Sequence, residues 1–222
     1  MYGGLKIIIR TILIIFLCVI TLNLNTQQNK YILFIVHYSG NETTPTLQKD
    51  ISFHTKFTDK LFEQKQILLS GKLEKNSGYF YILNTGDKSI AKNWFSGDSV
   101  IQRSSWKKDY RPFSLMQGEM CNVKNAQKEN QTYTLILNNT YLTKFNIREA
   151  PYYHKEHELF IKDLYKTGNI KFWGIFDHTD GTISLMQGIT DPEIFTLDPM
   201  VQRGFIVPEI KETTLLLKNI CE

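Results

Sequence analysis

The chain has 222 residues, 42% of them hydrophobic and 22% charged, enough to bury one large core or two small ones. The formal net charge is +4, but Lys6 and Arg10 stand near the N-terminus, and 26 basic residues less these two leaves 24 against 22 acidic ones. No basic stripe remains to hold nucleic acid, so that partner class is excluded.

Residues 1–26 are set apart from the fold. Lys6 and Arg10 precede an apolar run from Thr11 to Leu22, the length of a signal-peptide core and shorter than the roughly 18 to 20 residues of a membrane span. The chain is therefore expected outside the cytoplasm, periplasmic or secreted. Leu22-Asn23-Leu24-Asn25 offers no small-x-small cleavage site, which leaves an uncleaved N-terminal membrane anchor as the alternative.

Tyr31 to Tyr38 is a continuous β-branched and aromatic run, expected as a strand buried on both faces. A polar loop with Gly40 and Pro45 follows, then a helix on which His54, Phe57, Thr58 and Leu61 share one face. Ile67 to Lys72 and the run after Gly78 read as two strands, Lys88 to Phe95 as a short helix, and a last strand leads to Cys121. Gly71 sits inside its strand, where a missing side chain lets something approach the backbone closely.

Asn122 to Gln131 reads as an exposed linker, and the pattern then repeats. Thr132 to Asn138 is a strand, and a helix with His157, Phe160, Ile161 and Leu164 on one face follows. Gly168 is a helix stop, Ile170 to Phe176 is a strand containing Gly174, and Asp180-Gly181 is turn chemistry before the next strand. Asp191-Pro192 opens a short helix ending near Leu197, and an Asp198-Pro199 turn feeds the final strand to Cys221.

The interval from His54 to Gly71 equals that from His157 to Gly174, and Gly71 to Gly78 equals Gly174 to Gly181. After a small gap, Asp98, Gln102, Arg103 and Cys121 align with Asp198, Gln202, Arg203 and Cys221. This is an internal duplication, and two copies are too few for a solenoid. Each half runs strand, helix, strand, strand, helix, strand, which predicts an α+β chain of two tandem ferredoxin-like βαββαβ domains, at 29–121 and 132–222 around the linker 122–131.

The two cysteines beyond the leader, Cys121 and Cys221, share one register. In an oxidising compartment an even count favours a disulfide, and closing so long a loop is worth about 4 to 5 kcal/mol in the chain-entropy model. The alternative is that duplication copied a small apolar packing residue. His154, His157 and His178 do not complete a metal site with any carboxylate or cysteine spacing. No nucleotide-binding glycine motif and no nucleophile elbow is present, so neither cofactor nor metal is expected.

The helix histidine, the glycine on the following strand and the segment DPMVQRGFIVPEI resemble the YciI-like (YCII-related) proteins of the dimeric α/β-barrel superfamily. The resemblance covers His157 to about Leu217 well and His54 to about Gly118 more loosely, where Asp98-Ser99 replaces Asp-Pro and Ser104 stands for Gly204. It implies that the two halves pair as an intrachain pseudo-dimer, monomeric or in a higher homo-oligomer. It also implies a His-Asp active pair, placing His157 with Asp198 and His54 with Asp98.

Such an aspartate fixes the imidazole tautomer, leaving the other ring nitrogen free to take a proton. The implied function is a small lyase or isomerase acting on a small organic molecule. Two alternatives stay open: a non-catalytic small-ligand-binding module, and a structural pair tying helix to loop.

Overall fold

A computed structural model describes residues 30–39, 44–74, 78–120, 127–128, 131–141, 148–178, 181–188 and 191–218. The first half comprises β1 (Lys30–Tyr38), α1 (Pro45–Glu63), β2 (Ile67–Leu73), β3 (Gly78–Leu83), α2 (Lys88–Trp94) and β4 (Trp106–Gln117). A two-residue strand, β5 (Gln127–Lys128), lies within the expected linker. The second half comprises β6 (Thr132–Thr140), α3 (Ala150–Lys166), β7 (Ile170–Phe176), β8 (Thr182–Gln187), α4 (Pro199–Gln202) and β9 (Ile206–Lys218).

The predicted pair of tandem ferredoxin-like domains is not what these elements form. The strands make one sheet in the order β2-β3-β1-β4-β7-β8-β6-β9-β5, and β2 also pairs with β9. Eight strands thus close into a single antiparallel barrel, with β5 added along β9. Two seams join the halves: β4 to β7, with Phe113 opposite Phe176, and β2 to β9, with Leu73 opposite Thr213. The physical reason is edge pairing. A four-stranded half would expose the unpaired N–H and C=O groups of its two edge strands, and closure satisfies both edges. Strand order within a half is legible in the sequence; which edges it pairs with is not.

Closure explains why β1 reads as a doubly buried strand. Leu33 and Ile35 face the barrel interior with Phe80, Phe113, Leu135 and Phe172, a cluster drawn from both halves. Ile32, Phe34 and Val36 face outward under α1 and α2. Ile136, Trp173 and Met186 take the same outward place in the second half, under α3.

The two strand glycines admit interior rings. A Cβ on Gly71 would lie 2.3 Å from Phe80 Cε1, and one on Gly174 would lie 2.6 Å from Phe113 Cδ2. Both sit on seam strands, so the expected close approach is the ring packing that lets the barrel close.

Several local expectations shift. The short helix after Asp191 is a 3-10 segment, Pro192–Leu197. Asp198-Pro199 starts the one-turn helix α4 rather than a bare turn, with Met200 N–H donating to Asp198 Oδ1 at 2.9 Å. The leader, the Asp180 turn position, Cys121 and Cys221 lie outside the described residues. Among the described residues no helix is long and apolar enough to cross a membrane.

Candidate functional site

Each half brings its histidine and aspartate together. His54 comes from α1, where the spacing of Leu47, His54, Thr58 and Leu61 turns one face onto the sheet. Asp98 follows a 3-10 turn, Phe95–Gly97, and its Oδ1 accepts from Val100 N–H at 3.0 Å. Its Oδ2 lies 2.5 Å from His54 Nδ1. In the second half, His157 on α3 and Asp198 at the start of α4 meet with Nδ1 to Oδ2 at 2.6 Å. Both carboxylates accept from a backbone N–H two residues on, so each is held from two sides and can turn neither way.

An aspartate that accepts from Nδ1–H leaves Nε2 as the acceptor of the neutral ring. The halves then diverge. In the first, Tyr81 O–H lies 2.8 Å from His54 Nε2, so both ring nitrogens are used. His54 and Asp98 are fully buried, with Tyr79, Tyr81 and Trp106 packed around the imidazole at centroid distances of 5.7, 5.7 and 5.4 Å. This pair is sealed. Burial pushes the Tyr81 hydroxyl well above the usual phenol range, with the neighbouring Tyr79 adding to it, so the cap stays protonated.

In the second half, Nε2 of His157 has no hydrogen-bond partner among the described residues. The ring borders a cleft of about 460 Å³ with Asn138, Thr182, Trp173, Met200 and Ile206 on its walls and Lys155 and Glu158 at its edge. Asn138 Nδ2 donates to Thr182 Oγ1 at 2.9 Å, while Asn138 Oδ1 is buried without a partner among the described residues. Trp173 is held by an Nε1–H bond to Gln117 Oε1 of 2.8 Å, which anchors one wall across the β4–β7 seam. A rigid apolar wall with a few convergent polar atoms is the common form of a small-molecule site.

Of the four expected site residues, His157 therefore borders a cleft with Asp198 buried behind it, whereas His54 and Asp98 line none of the cavities described. Trp173 stands among the aromatics that could line a pocket, whereas Asn138 and Thr182 are not singled out by the sequence. Their signal was present in the repeat: where the first half has Val36 opposite Tyr79, the second has Asn138 opposite Thr182.

His154 lines the same cleft as His157, while His178 lies by another cavity beside Tyr110 and Phe176. Among the described residues no three His, Cys, Asp or Glu side chains gather as metal ligands do. A larger cavity of about 650 Å³ opens beside Lys88, Lys92 and Lys108, with no member of either pair on its walls. Its lysines are exposed and no His-Asp pair lines it.

No family model matches the chain, and no curated protein matches it. Solved structures do. A provisionally assigned monooxygenase from Fusobacterium nucleatum aligns with a TM-score of 0.55 at 10% identity, over 86% of this chain and 94% of that one. One from Lactobacillus acidophilus aligns at 0.51 and 12% identity, over 86% and 98%. A chlorite dismutase variant from Candidatus Nitrospira defluvii, in complex with cyanide, aligns at 0.54 and 8%, over 84% and 90%. The likeness is one of fold alone.

Proposed function

We propose that this protein is a small-molecule enzyme in which His157, held by Asp198, accepts a proton from a ligand bound in the second-half cleft. The neighbours carry different chemistries on one fold, so the fold leaves the reaction to the residues of the site. The observation that carries the reading is the two-sided use of His157: Nδ1 on a buried carboxylate, Nε2 turned to an open cleft.

Asp198 sets the tautomer and stabilises the imidazolium that forms, as an orienting carboxylate does for a general base. With a carbonyl compound in the cleft, the C–H beside the carbonyl gives its proton to Nε2 and its electron pair to the carbonyl. The proton then returns to another carbon, an isomerisation, or the returning pair forms a C=C bond as a leaving group on the next carbon departs with its own bonding pair and takes the imidazolium proton, an elimination. The YciI-like resemblance supports the same lyase or isomerase class. The leader-like residues 1–26 support a place outside the cytoplasm. Recovery of the intact chain from the cytosol would remove that part.

The test is solvent deuterium exchange into the carbonyl-adjacent positions of a panel of small ketones and lactones. Exchange is expected with the wild type, lost in His157→Ala and retained in His54→Ala at temperatures where that variant is folded. Unchanged exchange in His157→Ala would overturn the reading.

A further inference from the structure

The sealed half records what fills the open one. The strand pairings fix the equivalence without reference to side chains: Tyr79 lies opposite Val36 and Tyr81 opposite Phe34, as Thr182 lies opposite Asn138 and Ser184 opposite Ile136. Trp106 faces Tyr38 at the start of β4, and Ile206 faces Thr140 at the start of β9. The three rings around His54 are therefore Thr182, Ser184 and Ile206 around His157. One ring is moved rather than lost, since Ser70 opposite Tyr81 becomes Trp173 opposite Ser184. The other two leave only Thr182 and Ile206, and both residues line the cleft.

The deletion also strands polar atoms. Tyr81 O–H satisfies His54 Nε2 in the first half, and nothing among the described residues does so for His157. Asn138, which replaces the apolar Val36, is 2% exposed and leaves Oδ1 buried without a partner among the described residues. An acceptor without a donor is costly, so a ligand that supplies one to His157 Nε2 gains twice, from ring burial and from pairing.

We infer that the second-half cleft takes a small aromatic molecule bearing a hydroxyl, its ring in the space of the missing Tyr79 and Trp106 rings and its O–H on His157 Nε2. This rests on the reading of the cleft as the substrate site and names the class of that substrate: the hydroxyaromatic is the enol of a cyclic carbonyl compound, formed when His157 Nε2 takes the C–H proton and gives it to the carbonyl oxygen.

The experiment titrates the full chain with p-cresol and with toluene, reading the imidazole resonances of His157 by NMR. p-Cresol is expected to shift them and to bind at least about tenfold more tightly than toluene, the factor that one well-made hydrogen bond of about 1.4 kcal/mol supplies. Thr182→Tyr restores a ring of the first half and is expected to abolish p-cresol binding. Ile206→Trp serves the same purpose should Thr182→Tyr not fold.

Equal binding of p-cresol and toluene, or p-cresol binding that survives the refilled cleft, would overturn the inference. Capture of a non-aromatic compound at His157, with p-cresol excluded, would overturn the substrate class and leave the cleft as the ligand site. If no compound of a fragment set perturbs His157, both readings fall.

Discussion

Truncating the two histidines should have opposite consequences for stability and for activity, and the stability half can be worked from the structure. His54→Ala removes a fully buried ring that joins Asp98 and Tyr81. Two buried polar groups lose their partner at about 1–3 kcal/mol each, and the vacated ring space adds a cavity. The expected loss is about 4–5 kcal/mol, near the top of what single substitutions cost. His157→Ala breaks one bond beside an open cleft, where water can reach the freed Asp198 Oδ2, so the loss should be about 1–2 kcal/mol. For a chain of this size each kcal/mol moves Tm by about 2–4 °C. Urea unfolding of both variants, with m compared to wild type, is the assay. Equal losses, or a larger one for His157→Ala, would refute the assignment of one pair as sealed and the other as open.

Lys65 is the one described non-glycine residue with positive φ, at 60°, and it ends α1 where Gly168, at 78°, ends α3. Its N–H donates to Phe62 O and that of Gln66 to Leu61 O, the paired bonds of a left-handed helix stop. Lys65→Gly should therefore stabilise by about 0.5–1 kcal/mol, read as a higher urea midpoint at unchanged m. Burial raises the Tyr110 hydroxyl to about 12, with Asp98 adding to it, and also holds the Tyr81 hydroxyl well above the usual value. Groups raised in the folded state contribute fully below about pH 10, where the unfolded phenol still holds its proton. That contribution is lost as pH rises toward the folded values, so stability should fall above about pH 10, and Tyr110→Phe should lessen the fall.

How much of this was legible in the sequence depends on range. The two histidine helices, both strand glycines and the spacing to each aspartate were readable because periodicity and the repeat are local signals. Both His-Asp contacts formed where the repeat and the resemblance placed them. The barrel was not readable, because it rests on which strand edges meet: β4 pairs with β7, and β2 with β9, across long stretches of chain. Nothing in the pattern of β2, for example, distinguishes an edge left to solvent from one paired with Leu215 and Thr213. The cleft was missed for a related reason. Thr182, Ser184 and Asn138 are unremarkable alone, and they become a site only when set beside the rings that stand in their places in the other half.

That contrast bears on why only one half keeps an open pair. In a closed barrel the interior cluster draws on both halves, so neither can loosen without cost to the other. A water-connected cleft beside a buried carboxylate is a local weakness, because polar atoms such as Asn138 Oδ1 are left unpaired and a ring's worth of packing is absent. Filling one of two equivalent clefts with Tyr79, Tyr81 and Trp106 turns the first into packing and a satisfied hydrogen-bond chain from Asp98 through His54 to Tyr81. The stability so gained is available to a barrel whose other cleft, in the proposed function, stays open to bind. On this argument the divergence of the halves is a division of labour within one fold, and His54 persists because its removal strands two buried groups.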